Sequence, residues 1–179
     1  MQFEAVVMFN TNFTKQMLIN IIDAQLENHI VKNNSETSLI IAEIANELAK
    51  EKDKDIVLEK IRPIKNHANI LEVYITLMLD KHKQLISNIG EYSETIANCL
   101  DVLTNYLHEN SVSHMPSAVL KKVATTKENH KTLEYILNTS PLIIKKNNNY
   151  AFKYNEVKEY LISDIISAQS IRHTSVLRR

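Results

Sequence analysis

Apolar residues in the first two thirds of the chain recur at intervals of three and four, the spacing that lines one face of a helix. Met17, Leu18, Ile21, Ile22 and Leu26 predict a helix over 14–30 with Thr14 as its N-cap, ended by the polar residues 32–35. Leu39, Ile40, Ile44, Ala45 and Leu48 predict a second over 39–50, and Ile56, Val57, Leu58 and Ile61 a short third that Pro63 closes. Ile70, Leu71, Tyr74, Leu77, Met78 and Leu85 cover a wide arc, as expected of a well-covered helix over 68–83. Gly90 interrupts the pattern. Ile96, Ala97, Leu100, Leu103, Tyr106 and Leu107 then resume it over 92–108, with Ser93 as a cap. Residues 2–9 are apolar but too few to decide between a strand and an extended arm.

The pattern changes after the polar stretch 111–115. Pro116 is a favoured first helical residue, and two short helical patterns follow, over 116–124 and 127–138. Leu142, Ile143 and Ile144 are β-prone, Asn147, Asn148 and Asn149 tolerate the left-handed backbone of a tight turn, and Tyr150, Phe152 and Tyr154 alternate with Ala151 and Lys153. That is the signature of a β-hairpin. Asn155 can cap a last helix whose Val157, Tyr160, Leu161 and Ile165 form one stripe. Helix, helix, hairpin, helix is the order of a winged helix. The expected fold is therefore mainly α: a helical bundle over 1–113, a winged-helix-like module with one β-hairpin over 114–168, and a flexible basic tail over 169–179.

Composition narrows the chemistry. The sequence of 179 residues contains one glycine, whereas a Walker A loop, a dinucleotide fingerprint or a nucleophile elbow needs two or more at fixed spacing. The seven histidines, His29, His67, His82, His108, His114, His130 and His173, form no i, i+4 pair and read as surface or partly buried side chains. Cys99 lies on an apolar helical stripe and reads as a core thiol. Glu43, Glu47 and Glu51 have Lys50 and Lys54 at pairing distance along the helix and read as a solvated face. No catalytic signature, metal set or cofactor site emerges. A lone cysteine, no basic leader and no apolar run near the ~20 residues of a membrane span lead to the expectation of a cytoplasmic protein.

Charge is uneven although the total is zero: residues 1–115 hold 10 Lys+Arg against 16 Asp+Glu, and residues 116–158 hold 8 against 3. The module is thus basic (+5) and the body acidic (−6). Lys121, Lys122, Lys127, Asn129, Lys131, Lys145, Lys146 and Lys153 are the residues expected to meet either a partner protein or nucleic-acid phosphate. No arginine, the commonest base-reading side chain, occurs between residues 63 and 171.

Within residues 132–162, the runs Pro141-Leu142-Ile143, Tyr150-Ala151-Phe152-Lys153-Tyr154 and Glu159-Tyr160-Leu161 resemble the winged helix that follows the nucleotide-binding core of NACHT and related STAND ATPases. In that family the wing strand reads roughly y-x-F-x-H and the next helix carries E-Y-[FL]. The helical run from Ile70 to Leu79 is similar to the helix ahead of it, so the resemblance covers about residues 64–166. Tyr154 stands in the histidine's place, so the nucleotide-sensing role of that position does not carry over. The Walker segments are missing, which implies a fragment, split subunit or degenerate relative that does not hydrolyse ATP alone. The resemblance implies a non-catalytic regulatory module acting through protein contacts or self-association, as in pathogen and phage sensors. The alternative is a winged-helix DNA-binding transcriptional regulator. A small enzyme with convergent acids is a third reading that no motif supports.

Overall fold

The computed structural model describes residues 12–26, 35–86, 92–123 and 127–176, with side chains placed at all of these except 92–95, 97, 123, 127–129 and 168–176. The chain divides into two compact units, residues 1–74 and 75–179.

The first unit is helical. α1 (Lys15–Gln25) opens as expected at Thr14, whose hydroxyl accepts from the Met17 N–H at 3.2 Å. It buries Leu18 and Ile22 and packs on α2 (Ser35–Leu48), which buries Thr37, Ile40, Ile41, Ile44, Ala45 and Leu48. Leu39 does not belong to that stripe: it is 54% exposed, one position off the face that Ile40, Ile44 and Leu48 define. α3 (Lys54–Ile61) is capped by Asp53, which accepts from the Asp55 N–H at 2.9 Å, and it ends just before Pro63, whose ring cannot continue a helix. Lys50 pairs with Glu47 at 2.9 Å, as i, i+3 spacing allows. Glu43 has a further task, because it accepts the hydroxyl of buried Tyr74 at 2.9 Å.

α4 (His67–Ile86) runs across the boundary between the two units and buries Ile70, Leu71, Tyr74, Ile75, Leu77, Met78, His82 and Ile86. Leu85 was expected on its buried stripe and is 59% exposed. His82, expected at the surface or partly buried, is fully buried.

In the second unit α5 (Tyr92–Glu109) packs against the elements that follow it, burying Ile96, Cys99, Leu100, Leu103 and Leu107. It begins at Tyr92, so Ser93 lies inside the helix and not ahead of it. A turn through Ser111, at φ 53°, leads to β1 (Met115–Pro116). Pro116 was expected to open a helix; it pairs with Asn149 instead, and the next N–H, that of Ser117, donates to the Asn148 carbonyl at 2.8 Å. Helix α6 (Ser117–Val123) and helix α7 (Lys127–Thr139) follow, then β2 (Ile143–Lys146), β3 (Asn149–Phe152) and α8 (Asn155–Val176). The sheet is antiparallel in the order β1-β3-β2. A helix, a short strand, two helices and a hairpin in that sheet order make a winged helix, with α5 as its first helix.

The hairpin forms for the reasons its sequence offers. Asn147 and Asn148 hold φ of 50° and 59°, the left-handed pair that a two-residue turn requires and that asparagine adopts more readily than other residues with a Cβ. Tyr150, Phe152 and Tyr154 are all buried, along with Leu142, Ile143 and Val157. Asn155 is the first residue of α8 and not its cap, since the Tyr154 carbonyl already accepts from the Lys158 N–H. Tyr160, Leu161 and Ile165 are half-buried. The helix runs on to Val176, past residue 169 where a tail was expected; no proline or glycine intervenes to stop it.

Truncating a buried phenylalanine removes transfer energy and leaves a cavity, at about 3 to 5 kcal/mol. Phe152→Ala is expected to lose that much in chemical denaturation; an unchanged midpoint would take the hairpin out of the core.

Candidate interaction surface

α7 and β2 lie against each other. α7 turns Ile136 and Leu137 inward and leaves Lys131, Tyr135 and Asn138 exposed. Its sequence, KENHKTLEYILNT, carries two lysines and two glutamates, so with His130 neutral its net charge is zero. Tyr135 is 42% exposed, and Ile144 on β2 is 44% exposed. The hairpin is tied to α7 by buried Tyr150, whose hydroxyl donates to Asn138 Oδ1 at 3.2 Å.

Lys145 closes the same junction. Its ammonium lies 5.2 Å from the centroid of the Tyr150 ring and 3.5 Å from Glu134 Oε1. Tyr150 first and Glu134 second hold this lysine above its ordinary pKa. The pair is largely solvated, so it orients side chains more than it stabilises the fold. Lys145 is therefore engaged within the module. Lys153 likewise sits over an aromatic ring, that of Tyr154, at 5.4 Å.

The other expected contact residues are distributed over three elements. Lys121 and Lys122 are exposed in the last turn of α6, Lys131 is exposed on α7, and Lys146 is exposed beside the hairpin turn. These four have no ion-pair or hydrogen-bond partner among the described residues. Lys127 and Asn129 stand in the first turn of α7, and their side chains lie outside the described set. Sequence reasoning passed over Glu134, Tyr135 and Ile144. A helical projection anchored on Ile136 and Leu137 would have turned Tyr135 outward; the approach of Glu134 to Lys145 depends on how the hairpin folds back, which no local pattern encodes.

Two further groups carry titratable chemistry. Burial pushes the Cys99 thiol up to about 12. Burial also lowers the pKa of His82, whose Nε2 is 2.9 Å from Thr139 Oγ1. Among the described residues no three His, Cys, Asp or Glu side chains gather as a metal set, and no helix is long and apolar enough to cross a membrane. No family model matches the chain, and no characterised protein or solved structure is significantly similar to it.

A buried thiol with so high a pKa stays protonated through neutral pH, and the thiolate is the reactive form. Cys99 is expected to react with a soluble alkylating reagent at least about a hundredfold more slowly in the folded protein than in denaturant. Equal rates in the two conditions would place it at the surface.

Proposed function

We propose that this chain is a non-catalytic regulatory module that docks on protein through the α7–β2 face of its winged helix. The observation that carries the reading is the character of α7: zero net charge, no arginine, and a tyrosine turned to solvent. A helix that enters a DNA groove meets phosphates on both sides and gains from a surplus of cations. Exposed tyrosine is instead among the side chains enriched at protein interfaces. The engagement of Lys145 with Tyr150 and Glu134 points the same way, because a lysine held by its own fold contributes less to counterion release on DNA. The acidic residues 1–115, on this chain or on a second copy, offer complementary charge for the outward lysines. The resemblance to the arm of STAND-type ATPases supports a regulatory role of this kind, in a cytoplasmic sensor of pathogens or phages.

The second reading, a DNA-binding transcriptional regulator, draws on the sheet order β1-β3-β2 and on exposed Lys121, Lys122, Lys131 and Lys146, which have no partner among the described residues. Combining Tyr135→Ala with Lys131→Glu separates the two. Both side chains are exposed, so the fold is expected to survive. On the docking reading, self-association or partner binding measured by sedimentation weakens roughly tenfold or more, as loss of an interface hot spot does. Duplex DNA binds the unmodified chain weakly and without sequence preference. Selection of a defined duplex motif bound at nanomolar affinity in physiological salt would overturn the docking reading in favour of the second.

A further inference from the structure

Among the described residues, His82 is the buried side chain with an unpartnered polar atom: Nε2 meets Thr139 Oγ1 at 2.9 Å, and Nδ1 has no hydrogen-bond partner there. Thr139 has one hydroxyl proton, and its oxygen lies 2.8 Å from the Tyr135 carbonyl, which can only accept. The proton goes there. Thr139 Oγ1 must then accept from His82, so Nε2 carries the hydrogen and Nδ1 holds a bare lone pair. A second proton would place an N–H donor, and a full charge, where no described residue accepts it.

We propose that His82 is an acid-sensitive latch that, while neutral, ties α4 to the last turn of α7 and, when protonated, releases that turn and the start of the hairpin. The turn it holds is where α7 passes into β2: the Ser140 N–H donates to the Ile136 carbonyl at 3.0 Å and the Ile143 N–H to the Ser140 carbonyl at 3.2 Å. Protonation at Nδ1 leaves the Nε2–H in place but buries a charge, and moving the imidazolium out to water is what breaks its bond to Thr139 and loosens the junction on which the exposed Tyr135 is mounted. The polar contact recorded against the ring is the Thr139 hydroxyl from α7. Among the described residues, no carboxylate or cation of α4, α5, α7 or the strands contributes to its titration; burial alone lowers its pKa.

The folded pKa lies below the ordinary 6.5, so between the two values the unfolded chain binds more protons. The neutral latch is therefore complete above about pH 6.5 and is lost as pH falls through the folded value. Two measurements on the full chain test this. In the unmodified protein, the imidazole proton signals of His82 are followed by NMR through the acid range; the latch requires a midpoint below 6.5. In parallel, hydrogen-exchange protection of the Ser140 and Ile143 amides, corrected for intrinsic exchange, is compared at about pH 7.5 and about pH 5.5. Protection is expected to fall, by up to about tenfold, because at about pH 5.5 an imidazole of ordinary pKa freed by opening is about ten parts protonated to one neutral. In His82→Gln, which keeps a donor near Nε2 but cannot titrate, the fall should vanish. A midpoint at or above 6.5, or the same pH response in His82→Gln, would sink the latch; because the first readout needs no variant, poor folding of His82→Gln leaves the proposal decidable.

Discussion

Tyr150 is the contact on which the winged helix depends. It sits on the central strand of three, with Met115 as its register partner on one side and Lys145 on the other. Its side chain is wholly buried while its hydroxyl reaches Asn138 at the end of α7 and its ring underlies the Lys145 ammonium. One residue therefore fixes strand pairing, the approach of the hairpin to α7, and the placement of a surface cation. The combination suits tyrosine, which contributes a large apolar body and a polar tip. A phenylalanine would fill the same space and leave Asn138 without that bond.

Local pattern and long-range packing divide the fold between them. The hairpin was legible because two asparagines and three alternating aromatics encode a turn and a buried face within a few residues of each other. β1 was not, because two residues carry no period and one of them is proline; it exists only because β3 is there to pair with it. Leu39 and Leu85 show the limit of helical spacing: each is apolar and near the right phase, yet both are exposed. His82 is the opposite case, a polar residue taken into the core by the apolar positions around it on α4.

The same division applies to the lysines of the winged helix. The surplus of lysine in residues 116–158 is plain in the sequence, but how those lysines are used is not. Lys145 is drawn into a pair with Glu134 and a stack on Tyr150, whereas Lys146, next to it, is exposed and has no partner among the described residues. Two adjacent residues of one type thus differ in availability because strand geometry sends successive side chains to opposite faces. Counting charge along the chain treats them as equal, and the folded surface does not.

The flanks of the sheet govern what can be added to it. β1 is two residues long and ends in proline, which has no N–H to offer a further strand, and β2 carries two lysines in sequence next to the turn. Short length, proline and lysine are the devices by which edge strands avoid recruiting other chains. The backbone of this module is therefore a poor template for sheet extension, and assemblies built on it will be governed by side-chain chemistry. They should be reversible and sensitive to ionic strength, without growing into open-ended β-fibres.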